Sequence, residues 1–287
     1  MQTETSPPRR GPVLAPLQPQ DLALTIFGAH VRRPAETAWS GGMVQILGEF
    51  GFSAEASRAA LARLVTRGLL RRQKDGRLVF YALTARAEEL LSEGDERIFN
   101  FGRAPRSSGW TVLWHTIPED RRVERSRLAS RLRFLGFGSV QDATWIAAGD
   151  REAEVLRILA ELEVEPFASI LVGELSARLG AGALVEQAWD LGVVEDAYRA
   201  FLDAYAPLRG ARAQRRLDER AAFVTRTRML HEFRGFAFLD PELPDGARTI
   251  DRLRGKVVEA FDAVYTGLEG TAEAHFAAVA RPDPVVA

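Results

Sequence analysis

The 287-residue sequence contains no cysteine, which excludes disulfides, thiolate metal sites and a cysteine nucleophile. Lysine is nearly absent too: only Lys74 and Lys256 stand among the 38 basic residues, the rest being arginine. The four histidines, His30, His115, His231 and His275, show no HxH, HxxE or HExxH spacing, so zinc hydrolase chemistry lacks its ligand pattern. No GxxxxGK[ST] or GxGxxG phosphate loop is present, which removes the usual handle for nucleotide-driven chemistry. No apolar run reaches the roughly 18 residues of a membrane span. The opening MQTETSPPRRGPVLAPLQPQ is polar and proline-rich where a signal peptide needs an apolar core. These absences predict a cytoplasmic chain, no cofactor, no bound metal, no membrane partner and a flexible tail over residues 1–20.

What is present begins with 46% hydrophobic residues, enough for globular cores and for about two or three domains. Net charge is −1, but it is unevenly spread. From Ser53 to Leu83 seven cations face two acids, a net of +5, whereas Asp150 to Asp203 carries twelve acids and four bases, a net of −8. Such asymmetry predicts that one module meets a polyanion and another does not.

The predicted first module spans 21–108. Asp21 is a plausible N-cap for the apolar DLALTIFGAHV, and WSGGMVQILGEF (39–50) places apolar residues at helical spacing. Gly51 can leave helical geometry, and Ser53 caps a third helix with Glu55 in its first turn. In that helix Ser57, Ala60, Leu61, Leu64 and Val65 share one face, and Ala59, Ala62, Arg63 and Thr66 the other. Gly68 ends it; LLRRQKDGRLVFYAL then reads as two strands around an Asp-Gly turn. Helix, turn, helix and basic hairpin describe a winged helix-turn-helix. The small side chains let the helix approach base edges, and flanking arginines and the hairpin tip can hold phosphate or guanine. The predicted DNA contacts are Ser57, Arg58, Ala59, Ala62, Arg63 and Arg67 on the helix, with Lys74 and Arg77 on the hairpin. A solvated helix face or a protein-binding winged helix would show the same period; cations on both helix and hairpin favour DNA. Thr84 caps a further helix that connects onward.

The predicted second module, 109–180, follows the linker-like GRAPRSSG. Its strand, helix, split extended segment, helix and strand suggest a ferredoxin-like βαββαβ fold. Its arginine-rich helix, with Arg121, Arg122, Arg125, Arg127, Arg131 and Arg133, reads as a solvated face in preference to a second nucleic-acid surface. The third module, 181–287, is all-α on pattern. Between two of its helices, HEFRGFAFLDPELPDG (231–246) brings His231, Arg234 and Asp240 near three phenylalanines. Together with Arg228 these are the candidate effector-binding residues, and a capped helix end with core aromatics is the competing reading. No nucleophile has an activating partner beside it, so no catalytic residue and no enzyme activity are predicted. The expected class is therefore α+β and multidomain: a winged helix-turn-helix, a ferredoxin-like middle domain and an all-α C-terminal domain.

The chain resembles the PaaX family, the repressors of phenylacetic acid catabolism, through LTIFGAHVRRPAETAWSGGMVQILGEFG (24–51), SRAALARLVTRGLL (57–70), WTVLWHTIPEDRR (110–122), LRFLGFGSVQDATWIA (132–147) and HEFRGFAFLDPELP (231–244). The resemblance implies a homodimeric transcriptional regulator, released from double-stranded operator DNA by a small effector, phenylacetyl-CoA in founding members. After Pro244 the sequence departs from the family's Leu-Leu-Pro and Trp-Pro-Gly pattern, which bears on the effector more than on DNA. The middle module's likeness to a CRISPR-associated endonuclease raises a metal-dependent nuclease as the alternative. That nuclease needs an aspartate ending its first strand, where this chain has Thr116-Ile117-Pro118.

Overall fold

The computed structural model describes residues 17–32, 36–103, 109–176, 182–243 and 248–282. The predicted tail over 1–16, part of the 102–109 linker, and the Pro282-Asp283-Pro284 end beyond residue 282 lie outside these. The described residues form helices and two small antiparallel sheets, an α+β composition. They divide into two compact units that do not follow chain order. One holds Phe101–Ala200 and Arg234–Lys256; the other holds the residues before Phe101 together with Phe201–Phe233 and those from Val257.

The second of these units begins with α1 (Pro19–His30), the two-residue β1 (Ala38–Trp39), α2 (Ser40–Glu49) and α3 (Ala54–Thr66). Helix α1 starts three residues earlier than an Asp21 cap would place it. Pro19 presets the first helical φ, so Gln18 is the cap and Asp21 falls in the first turn, where its charge faces the helix dipole. Helix α2 closes through Gly51 at φ +92°, with Gly51 N–H bonded to Gly48 O and Phe52 N–H to Leu47 O. Ser53 accepts the Ala56 N–H at 3.1 Å and so caps α3. Gly68, at φ +69°, ends α3 in the same way, Leu69 N–H reaching Leu64 O at 2.9 Å.

Strands β2 (Leu70–Asp75) and β3 (Leu78–Leu83) then pair from Leu70 with Leu83 to Asp75 with Leu78. Gly76, at φ +56°, makes the tight turn possible. The other edge of β3 pairs with β1, Ala38 with Tyr81 and Trp39 with Phe80, giving the order β1-β3-β2. Helix α4 (Ala85–Asn100) follows, capped by Thr84 Oγ1 at 3.3 Å from Ala87 N.

The core of this unit is not made by the N-terminal residues alone. Leu22, Ile26, Phe27, Met43, Ile46, Leu61 and Leu64 cluster with Phe223, Ala272, Phe276 and Ala280. The last four come from α10 (Glu219–Leu239) and α12 (Glu269–Ala280). Helices α2 and α12 approach closely enough that a Cβ at Gly42 would stand 2.1 Å from the Val279 carbonyl oxygen.

The other unit runs β4 (Trp110–His115), α5 (Arg122–Phe134), β5 (Gly138–Gln141), β6 (Thr144–Ala148), α6 (Glu152–Glu161), β7 (Ala168–Gly173) and α7 (Gly182–Ala188). Its four-stranded sheet has the order β5-β6-β4-β7, every neighbouring pair antiparallel. Leu113, Trp145 and Ala147 pack on one face against Leu128 and Leu132 of α5 and Val155 and Leu159 of α6. Trp110, Ile146 and Ala148 on the other face meet Val185 and Leu243. Helices α8 (Leu191–Tyr205) and α11 (Arg248–Gly267), like α10, contribute one part to each unit. A short α9 (Ala211–Gln214) precedes α10.

The apolar period predicts a helix over Leu217–Phe236, and α10 follows it, starting at Glu219 and running on to Leu239. Residues 231–239 are helical, continuing from Glu219, because Met229, Leu230, Phe233, Phe236 and Ala237 recur at helical spacing and are buried. The chain leaves the helix at Asp240-Pro241, where proline cannot continue it.

Candidate nucleic-acid interface

Helix α3 has two faces set by its sequence period. Ala60, Leu61 and Leu64 are buried, while Arg58, Arg63 and Arg67 are exposed, with Ala59 and Ala62 half-buried between them. Positions 58 and 62, and 59, 63 and 67, are one turn apart and form two adjoining rows, so two alanines leave a shallow strip flanked by guanidinium groups. Ser57 does not belong with them. It is 0% exposed and its hydroxyl donates to Ser53 O at 2.9 Å, so its period places it in the core and it is withdrawn from the contact set.

The hairpin follows α3 directly and is tied to it. Thr84 Oγ1 donates to Gly68 O at 2.7 Å and Thr84 N–H to Leu69 O at 3.2 Å. Lys74 and Arg77 are exposed at its tip. Among the described residues the side chains of Arg58, Arg67, Lys74 and Arg77 make no hydrogen bond or ion pair, while Arg63 Nε donates to Gln20 Oε1 at 3.2 Å. Seven cations against Glu55 and Asp75 leave these two consecutive elements with an excess of positive charge.

The arginines of α5 differ in this respect. Arg121 donates to the carbonyls of Glu163 (2.7 Å) and Leu162 (3.3 Å), and Arg125 pairs with Glu119 at 2.8 Å. Arg131 pairs with Glu161, and Arg133 lies 5.1 Å over the Trp145 ring. Most of this helix's charge is thus engaged in holding the unit together. Beside it, burial and then the Arg125 charge lower the pKa of His115, which favours the neutral imidazole. Pro118 ends the β4 segment, and Glu119 beyond it is the partner of Arg125. Among the described residues no three His, Asp or Glu side chains cluster as metal ligands.

The four candidate effector residues are divided between the two units. Arg228 and His231 belong to one unit, Arg234 and Asp240 to the other. Arg228 is exposed, and His231 Nδ1 lies 3.1 Å from Thr25 Oγ1. Asp240 is 1% exposed and fully engaged: Arg254 Nε and Nη2 donate to its two oxygens at 2.7 and 2.8 Å, Glu242 N–H at 2.7 Å, and the Tyr198 hydroxyl also donates. Burial, reinforced by the Asp240 charge, pushes Tyr198 well above the ordinary tyrosine value, so it remains a proton donor. Asp240 therefore has a structural role and no free acceptor for a ligand.

The sequence reading misses the parts supplied from far along the chain. His30 Nδ1 lies 2.7 Å from Glu273, and His275 Nε2 lies 3.0 Å from both oxygens of Glu49. Arg226, also buried, donates to Tyr265 O at 3.0 Å and Glu269 at 3.3 Å. Burial raises the Glu273 pKa, but the His30 hydrogen bond and the His30 and Arg226 charges outweigh it and leave the carboxyl below its usual value. No local motif marks these pairs, because their partners stand more than 200 residues apart or on separate helices.

Three family models match in chain order: PaaX-like protein over residues 18–87, PaaX protein central Cas2-like domain over 103–185, and PaaX-like protein C-terminal domain over 189–278. No curated protein matches. Among solved structures the chain is similar to the uncharacterized protein Rv0674 from Mycobacterium tuberculosis, at 23% identity and a TM-score of 0.52, covering 91% of this chain and 99% of that one. That likeness concerns the fold. Matched in all three parts, the chain belongs to the PaaX family, a family of transcriptional regulators.

Proposed function

We propose that this protein is a winged-helix repressor that binds a palindromic operator as a homodimer and is released by an aryl- or acyl-CoA thioester. The carrying observation is the outward face of α3, Arg58-Ala59 and Ala62-Arg63, continued by Lys74 and Arg77 on the hairpin tip. A helix with small side chains between arginines fits the major groove, and the hairpin supplies neighbouring phosphate contacts. In chain order we retain 21–108 as the DNA-binding module, 109–180 as a ferredoxin-like module and 181–287 as the helical module.

Homodimerisation is supported by the edges of the four-stranded sheet. The β5 edge carries an irregular register at Ser139–Gln141 and is covered by α7, with Gln187 Nε2 bonded to Val140 O. Strand β7, Ala168–Gly173, has neither charge nor proline, pairs on one side only among the described residues, and leaves Leu171 54% exposed with Trp114 42% exposed on β4. An unguarded apolar edge is a template for another strand, and pairing with its own copy is compatible with two-fold symmetry. The effector reading rests on family membership and on Arg228, whose exposed guanidinium can meet a coenzyme phosphate. Selection from a random duplex pool should enrich a palindrome. Phenylacetyl-CoA should then raise the melting temperature and release that duplex. Enrichment of no sequence would remove the operator reading; enrichment without release by any acyl-CoA would remove the effector alone.

A further inference from the structure

The compact unit that holds α3 and the hairpin also contains a second cationic segment, LRGARAQRRLDER (208–220), contributed by the C-terminal part of the chain. It carries five arginines and two acids. Two of the arginines are engaged: Arg209 with Glu259 at 3.2 Å, and Arg220 with Glu49 at 3.9 Å. The other three, Arg212, Arg215 and Arg216, are exposed, and their side chains make no hydrogen bond or ion pair among the described residues. Arg199, Arg226 and Arg254 contrast with them, since all three rest on carboxylates.

Placement gives the segment its meaning. Glu49 is the last residue of α2, four residues before the Ser53 cap of α3, and it receives both Arg220 and His275. Arg220 therefore stands beside the turn that leads into the N-terminal end of α3. Arg216 is four residues from Arg220, so their Cα atoms are at most about 14 Å apart. The segment is also held from behind. Gln214 Nε2 donates to Leu208 O at 3.0 Å and Ala263 O at 3.1 Å, and Asp218 Oδ1 accepts Ala221 N–H at 2.7 Å. Anchored backbone with free guanidinium groups is what phosphate recognition uses, because the planar fork matches phosphate oxygens.

We propose that Arg212, Arg215 and Arg216 form a second phosphate-contacting surface, binding the duplex backbone beside the segment read by α3. This rests on the α3 reading above, so the experiment separates the two. Full-length wild type, the R212Q/R215Q/R216Q variant, the three single Arg→Gln variants and R58E are titrated with the wild-type-selected duplex and with a scrambled duplex across a salt series. The triple variant should bind both duplexes more weakly while keeping its preference between them. Its dependence of log affinity on log salt should be shallower by about 2.7, each single variant contributing about 0.9. Its melting temperature without DNA should match wild type, since the three side chains are exposed and make no hydrogen bond or ion pair among the described residues. An unchanged salt slope in the triple variant, with R58E having lost the preference, overturns this surface and leaves the α3 reading standing. If R58E keeps full affinity and preference, the α3 reading falls, and this surface falls with it.

Discussion

Asp240 shows at the scale of one residue why a polar side chain among aromatics can be read in two ways. Next to Phe236 and Phe238 in the sequence it looked like part of a ligand pocket, yet its four acceptor interactions are all internal. Removing one partner of a buried ion pair leaves the other charge stranded, which costs about 3–5 kcal/mol, whereas replacing both by apolar groups of similar volume is often neutral. Asp240→Ala should therefore lose about that much stability in urea unfolding, and the Asp240→Leu/Arg254→Met double variant should recover most of it. A ligand-binding Asp240 would instead show a small stability change. Arg254 lies fourteen residues on in another helix, which is why no local pattern gave this pair away. Ser57 teaches the same lesson in the other direction: its period put it on the apolar face, and the hydroxyl that suggested a base contact closes a bond to Ser53 O.

Among the elements, those governed by local chemistry were legible. Ser53 caps α3, Gly68 terminates it, and Asp75-Gly76 turns the hairpin, because caps and positive-φ turns are decided within four or five residues. Strand β1 was not legible, since Ala38-Trp39 is a strand only by pairing with Tyr81 and Phe80. Nor was the last stretch of α10, which runs three residues past the expected end at Phe236 before Asp240-Pro241 stops it. The α2–α12 contact was equally hidden, and it carries a prediction in which two effects compete. Gly→Ala within a helix ordinarily gains about 0.5–1 kcal/mol. At Gly42 the new methyl would meet Val279 O at 2.1 Å, and overpacking of that kind costs about 1–3 kcal/mol. Gly48, in the same helix, has open space around its Cβ position. Gly42→Ala should lower the urea midpoint and Gly48→Ala should raise it; equal effects would mean that α12 is not seated against α2.

For the whole molecule, the sequence shows three successive modules and the structure shows cores that ignore that succession. Phe223, Phe276 and Ala280 complete a core begun by Leu22, Ile26 and Met43, so the N-terminal helices depend on residues about 200 positions away. Ligand binding that shifted α10 or α12 would therefore act on the packing beneath α3, a physical route by which an effector could weaken DNA binding. The basic stretch from Arg58 to Arg77 was legible in the sequence, whereas the run from Arg209 to Arg220 passed there as part of an all-α module. What the sequence lacked was the information that both lie in one compact unit. Operator reading by α3 is tested by fluorescence anisotropy of full-length wild type and Arg58→Glu on the wild-type-selected duplex. Wild type should bind that duplex in preference to a scrambled one, and Arg58→Glu, with its melting temperature intact, should bind both at the scrambled level. Undiminished preference in Arg58→Glu would contradict the account.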